Sequence, residues 1–232
     1  IEIPNNDGQP AGVDLGIKQM MAVSDGTVFE NPKALSRYER KIKRQNRSLA
    51  RKKKGSNNRE KAKIRLQKTH ARVTNIRRDA QHKATTWLAK NKSVIGVEDL
   101  NVSGMLKNGH LSKAISDVGF GELKRQLEYK TKWYGSTLVT ADRFFPSSKM
   151  CSVCGYVKDE LSLSEREFVC DNCGSVLDRD LNASRNLENL AVSWTERLNA
   201  CESGKLWPPD SGGETALNEA GIEHHLGGFL NG

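Results

Sequence analysis

AGVDLGIKQMMAVSDGTVFENP, residues Ala11 to Pro32, is the stretch on which the fold turns. Ala11 to Lys18 reads as a buried strand. The following MMAVSDGTVFENP carries two more strands around Asp25-Gly26, an Asp-Gly pair between apolar runs being a strong hairpin signal. A three-stranded meander therefore opens the chain. Two helical stretches come next, about Leu35 to Ala50 and Asn58 to Lys90, parted by the breaker run RKKKGSNN. In the second, Ile64, Val73, Ile76, Ala80, Trp87 and Leu88 form a sparse apolar stripe. SVIGVEDL, Ser93 to Leu100, is rich in β-branched residues and reads as a central strand. A loop with Gly104 and Gly109, a helix from about Ser112 to Tyr134, and the strand STLVTADRFF follow.

The order of three strands, helices, strand, helix, strand predicts an α/β fold, a mixed sheet with helices on its faces. The compact five-stranded version with an initial meander is the RNase H-like architecture. Residues 1–146 are assigned to the first part of this core, with a basic helical insertion at 35–90. Residues 147–176 form a cysteine-bearing insertion, 177–199 a final helix beginning near Arg179, and 200–232 a loose, glycine-rich tail.

Cys151, Cys154, Cys170 and Cys173 make C-x2-C-x15-C-x2-C, with Gly155 and Gly174 directly after each pair. Two such turns can aim four thiolates at one Zn²⁺, a closed tetrahedral shell that is structural because it leaves no open position. Paired disulfides or a redox C-x-x-C are the competing readings. The chain, however, lacks the charged-then-apolar start of a secretory signal, and redox motifs come singly. Cys201 stands apart as a free thiol, and none of the five histidines shows ligand spacing.

Three carboxylates stand out. Asp14 interrupts an apolar strand between Val13 and Leu15, where burial without a ligand or partner costs several kcal/mol. Glu98 closes the strand VIGV at its carboxyl end, and Asp180 lies at the mouth of the last helix in LDRDLNASRN. Taken singly, each has an ordinary explanation, a solvated strand end or a helix N-cap. Together they suit a nuclease that divides a phosphodiester with two Mg²⁺ or Mn²⁺ ions, hard cations held by small clusters of acids.

Lys and Arg number 37 against 28 Asp and Glu, a net charge of +9, and the distribution is lopsided. Arg37 to Lys68 holds fifteen bases and only two acids, Glu39 and Glu60. That predicts a polyanionic partner. No apolar run approaches the roughly 18 residues of a membrane span. The expectation is a soluble, cytoplasmic protein. Trp133 and Tyr134, at the end of an amphipathic helix, read as core rather than as base-stacking residues.

GVDLGIK with Asp14, VIGVEDLNVSGM with Glu98, DRFFPSSKMCSVCG, and DRDLNASRNL with Asp180 together resemble the RuvC and zinc-ribbon half of TnpB, also called OrfB, over about Gly12 to Leu190. The resemblance implies an RNA-guided DNA endonuclease associated with a transposable element. It makes Asp14, Glu98 and Asp180 catalytic metal ligands and the four cysteines zinc ligands. By the family pattern the acid two residues before Asn182 is chosen, with Asp178 as the fallback. Arg143 and Arg179 are candidates to neutralise phosphate, and the basic helices from Arg37 to Arg78 to hold guide RNA or an RNA–DNA duplex through its backbone. Family members also carry a sizeable portion ahead of the first RuvC strand that serves targeting. Here Asp14 comes about a dozen residues from the start, so that portion is expected to be missing. Two other readings follow from the residues: a nucleic-acid-binding remnant or transposition regulator that does not cut, and a zinc-stabilised interaction module.

Overall fold

In a computed structural model the described residues are 6–162 and 165–202, the side chains of 198–202 excepted. The meander consists of β1 (Ala11–Asp14), β2 (Gln19–Val23) and β3 (Val28–Glu30). Strand β1 ends at Asp14, four residues before the sequence pattern suggested. The helices α1 (Ala34–Ala50) and α2 (Asn57–Asn91) follow, then β4 (Val94–Glu98), α3 (Val102–Met105), α4 (Ser112–Val118), α5 (Phe120–Tyr134) and β5 (Thr137–Ala141). Two short strands, β6 (Glu167–Val169) and β7 (Val176–Asp178), precede α6 (Arg179–Glu202).

The expected mixed α/β arrangement is present. Five strands lie in the order β3-β2-β1-β4-β5, with β1 antiparallel to β2 and parallel to β4, and β4 parallel to β5. Side chains alternate across a strand, so the two faces can be read directly. Ala11, Val13, Ile95 and Val97 point to one face and join Ala84 and Leu88 of α2 with Leu123 and Leu127 of α5 in the main core. Gly12, Asp14, Gly96 and Glu98 point to the other. There α6 covers the sheet with Ala183, Leu187 and Ala191, all fully buried or nearly so.

The single helix expected over Ser112 to Tyr134 is broken at Gly119, whose φ of 73° ends α4 and opens α5. Buried Gln81 donates to the carbonyls of Val118 and Gly119, satisfying the groups the break exposes. Ile64 departs from the apolar stripe expected of it and is 48 % exposed, because α2 runs past the core to pair with α1 alone. A small satellite cluster of Ala34, Ile42 and Val73 joins those two helices. Trp133 is also not core: it is 66 % exposed, stacked edge-on to Tyr129 at 4.6 Å. Helix α6 continues to Glu202, across the 199/200 boundary drawn from sequence. Most of the proposed tail, the histidines at 224 and 225, and the side chain of Cys201 lie outside the description.

Candidate active site

The strand register builds the site. Gly12 pairs with Gly96 and Val13 with Val97 across the parallel β1–β4 ladder, so the next step sets Asp14 beside Glu98 at the carboxyl ends of both strands. Each strand therefore carries glycine, a spacer, then an acid, in register. The glycines let a helix lie directly on the backbone. A Cβ on Gly12 would meet the Ser184 carbonyl at 1.8 Å, and one on Gly96 the Leu187 carbonyl at 2.3 Å. This contact fixes α6, and with it Asp180 in its first turn. Asp14, Glu98 and Asp180 line one cleft of about 250 Å³, together with Ser148, Arg166, Arg179 and Ala183.

Asp178 does something else. Its Oδ1 accepts from the backbone N–H groups of Asp180 at 3.0 Å and Leu181 at 3.1 Å, the bonds of a helix N-cap. The capping role that the sequence left open to Asp180 is taken by Asp178, and the Asp180 side chain lines the cleft.

Burial pushes the Asp14 carboxyl up to about 8, with the nearby charges of Glu98 and Asp180 adding to the rise and Arg179 opposing it. Burial likewise raises Glu98, against a hydrogen bond from the Ser147 hydroxyl and the charge of Arg179. Desolvated, mutually repelling carboxylates are stabilised either by protons or by cations. Oxygen donors of this kind suit a hard divalent ion.

Stability should report this strain. A carboxyl whose pKa rises from 3.8 to about 8 on folding contributes stability below pH 4 that is lost as pH climbs towards 8. In divalent-free buffer the melting temperature of the wild-type chain is expected to fall over this window. An Asp14→Asn chain should fall less and melt higher at pH 8. Parallel profiles would mean that Asp14 ionises without strain.

The four cysteines form a second cluster. Sγ of Cys151 and Cys173 are 3.7 Å apart, and those of Cys154 and Cys170 are 3.6 Å apart. Four sulfurs at 2.3 Å from one tetrahedral ion sit about 3.8 Å from each other, whereas a disulfide needs about 2.05 Å. Among the described residues only these four bring the ligand atoms of three or more metal-binding side chains within 4.8 Å of one another. The two turns share one design. The Cys151 N–H donates to the Tyr156 carbonyl and that of Gly155 to Cys151, while Cys170 and Gly174 repeat the pattern with Ser175 and Cys170. Gly155 and Gly174 have φ of 76° and 73°, the left-handed region glycine enters without penalty.

Asn182 and Asn186, one turn apart on α6, tie this cluster to the cleft. Asn182 donates to the Met150 carbonyl and accepts from the Ser152 N–H, and Asn186 donates to the carbonyls of Ser147 and Met150. Both are essentially fully buried. Sequence reasoning gave neither asparagine a structural role and overlooked Ser147 and Arg166, since nothing local marks polar residues whose partners lie thirty or more positions away. Of the two arginines it did name, Arg179 lines the cleft, but Arg143 lies 3.7 Å from Asp99 as an ion pair.

Two family models match the chain in succession. That for OrfB of IS605, described as "Probable transposase", matches residues 2–109, and that for the "Cas12f1-like, TNB domain" matches 120–187. A "Putative RNA-guided DNA endonuclease" of Streptomyces pristinaespiralis is 46% identical over 176 residues, covering 76% of this chain and 44% of that protein. The Escherichia coli K12 protein InsQ, of the same description, is 37% identical over 191 residues, covering 76% and 47%. A TnpB-like protein of Methanocaldococcus jannaschii is 31% identical, covering 70% and 61%. The chain thus spans about half the length of the curated relatives it matches. A Cas12f1 chain, solved with sgRNA and target DNA, superposes with a TM-score of 0.57 at 19% identity, covering 82% of this chain and 51% of that one. No helix among the described residues is long and apolar enough to cross a membrane. With both family models in sequence order and relatives at these identities, the chain belongs to the TnpB (OrfB) family.

Proposed function

We propose that the chain is the catalytic half of a metal-dependent DNA endonuclease. Its sheet and α6 form an RNase H-like RuvC core, residues 147–176 a zinc ribbon, and Asp14, Glu98 and Asp180 the ligands of two Mg²⁺ or Mn²⁺ ions. The observation that carries this reading is the in-register pair of glycine-spacer-acid strands, completed by Asp180 from a helix seated on the two glycines. Two desolvated carboxylates, Asp14 and Glu98, sharing one cleft with Asp180 and with two arginines beside them, are costly in a protein that only binds.

The ions, when bound, supply the Lewis acidity that sharpens an attacking water and steadies the leaving oxygen of a scissile phosphate. The chain's own residues do the rest. Asp14 and Glu98 hold their carboxylates side by side on rigid strand ends, and the Ser147 hydroxyl keeps Glu98 in one orientation. Arg166 and Arg179 face the same cleft and are placed to meet the phosphate's charge. Four thiolates leave no open ligand position, so the zinc holds structure.

The relatives' descriptions and the Cas12f1 complex support DNA as substrate and an RNA guide as partner. Targeting is assigned to the remainder of the longer relatives. The test is cleavage of labelled single-stranded and duplex DNA with Mg²⁺ and without it, alongside Asp14→Ala, with Mn²⁺ binding followed by calorimetry. The expected result is metal-dependent cutting and Mn²⁺ uptake, both abolished by the substitution. Cutting that survives in Asp14→Ala, or Mn²⁺ uptake unchanged by it, would overturn the assignment.

A further inference from the structure

Strand β5 leaves the sheet beside Glu98, with Ala141 as the Glu98 partner in the parallel β4–β5 ladder. The chain returns to the same carboxylate at Ser147, whose hydroxyl donates to Glu98, and Ser148 lines the cleft. The intervening loop, 142–146, is therefore anchored at both ends on one acid of the site. Phe144 stands midway, three residues from either anchor, so its Cα lies within about 11 Å of both. Its side chain is 87 % exposed, more than any other large apolar residue among the described residues.

A single exposed apolar side chain needs no explanation by itself. What distinguishes Phe144 is its place and the way its backbone is held. Its N–H donates to Asp142 Oδ1 at 2.7 Å, and that of Phe145 to the Asp142 carbonyl at 3.0 Å. The Ser147 N–H donates to the Phe145 carbonyl, while Pro146 fixes φ between them and accepts from the N–H groups of Lys149 and Met150. Arg143, just before the ring, pairs with Asp99, just after Glu98, at 3.7 Å. Loop tips are ordinarily small and polar, whereas this one is pinned and presents an aromatic face. Such a face gives a flat partner a large contact area at little cost in side-chain entropy. The cleft beside it, with its acids and with Arg166 and Arg179, suits a phosphate. The flat groups carried by a phosphodiester are its bases, and only an unpaired strand leaves their faces free for a side chain.

We propose that Phe144 is a positioning residue that stacks on an unpaired nucleobase of the DNA strand lying in the cleft. The stacked base fixes the register of the strand, so that a neighbouring phosphate meets Asp14 and Glu98. The ring takes no part in the chemistry. The assignment rests on the reading of the acidic cleft as a nuclease site, but its primary readout is binding and does not require cutting.

The experiment measures affinity of the whole chain, carrying Asp14→Asn so that the strand stays intact, for a single-stranded DNA and for the same sequence as a duplex across a salt series. Phe144 is kept or replaced by Ala, Leu or Trp, and unchanged melting temperatures confirm folding at so exposed a position. Phe144→Ala should weaken single-strand binding about five- to fiftyfold. The salt-dependence slope should stay as it was, because a ring releases no counterions, and duplex affinity should not change. Phe144→Trp should bind at least as well as the native ring, whereas Phe144→Leu, apolar but not flat, should behave like Ala. An abasic site moved along the strand should cost as much as Phe144→Ala at one position, and cost nothing further there in the Ala chain. With Asp14 intact and Mg²⁺ present, Phe144→Ala should raise KM for the single strand more than it lowers kcat. A loss shared by the duplex, an abasic series with no privileged position, Leu performing as well as Trp, or no single-strand binding at low salt would overturn the assignment. Mg²⁺-dependent cutting that ignores Phe144 would remove the stack and keep the nuclease, and a stack without such cutting would keep the ring's role and remove the nuclease.

Discussion

A chain carrying Gly12→Ala is expected to lose about 3 kcal/mol of stability or more, and with it the ability to bind divalent ions at the acidic cleft. The added methyl would stand 1.8 Å from the Ser184 carbonyl, 2.4 Å from the Glu188 nitrogen and 2.9 Å from the Leu187 carbonyl carbon. All three are backbone atoms of α6, and a helix backbone cannot rotate aside as a side chain can. Relief requires the helix to rise by more than 1 Å, which separates Leu187 and Ala191 from the sheet and leaves voids where both were fully buried. Asp180 rides on the first turn of the same helix and would leave Asp14 and Glu98. Gly96→Ala, at 2.3 Å from the Leu187 carbonyl, should act in the same direction. Gly121→Ala gives the contrast: nothing lies within 4 Å of its Cβ at this exposed position of α5, and alanine there should add about 0.5–1 kcal/mol. Thermal unfolding decides. For a chain of this size the Gly12→Ala loss is a fall of about 6–12 °C. A Gly12→Ala protein melting within a degree of wild type would mean that α6 does not sit on the glycines.

The two glycines also show why the site was only half legible in the sequence. Asp14 and Glu98 stand out because a carboxylate inside or at the end of an apolar run is expensive and needs a reason. The residues that make them a pair, Gly12 and Gly96, look like ordinary weak points of two strands until the register sets them side by side beneath a helix ninety residues further on. In the sequence only the resemblance favours Asp180 over Asp178, and what separates the two in the structure is a local pair of backbone hydrogen bonds. The meander and the central strands are readable from their apolar runs and the Asp25-Gly26 turn, and the two long helices from their length and the breaker run between them. The break at Gly119 was not, because glycine is tolerated within a helical pattern and its signal here is the partner Gln81 on another helix. The strands β6 and β7 have three residues each, too few for an alternation to register. The exposure of Ile64 follows from α2 running past the core, which a single element's periodicity does not encode.

Removing the metal from the cysteine cluster, or changing Cys170 to Ser, is expected to dismantle the ribbon and to disable the cleft with it, although no cysteine lines the cleft. The ribbon has little else to hold it. Its own cluster is one fully buried phenylalanine, Phe168, with Cys151, Cys170 and a half-buried Leu161, and Val153, Val169 and Val176 face solvent. So small a core cannot offset the entropy of ordering about thirty residues, whereas structural zinc contributes about 10–16 kcal/mol in comparable small modules. The consequences travel along specific bonds. Asn182 and Asn186 lose the carbonyls of Met150 and Ser147 and become buried amides without partners, at about 1–3 kcal/mol each. The Ser147 hydroxyl no longer orients Glu98, and Arg166 leaves the cleft. Metal analysis should find one zinc per chain in the wild type and none in Cys170→Ser. Hydrogen exchange should then lose protection across residues 147–178 while α2, α5 and the central strands, whose core lies on the opposite face of the sheet, retain theirs. Zinc absent from the purified wild type, or protection in 147–178 undiminished after its removal, would show that the four thiols are held at 3.6–3.7 Å by packing alone and that the ribbon needs no ion.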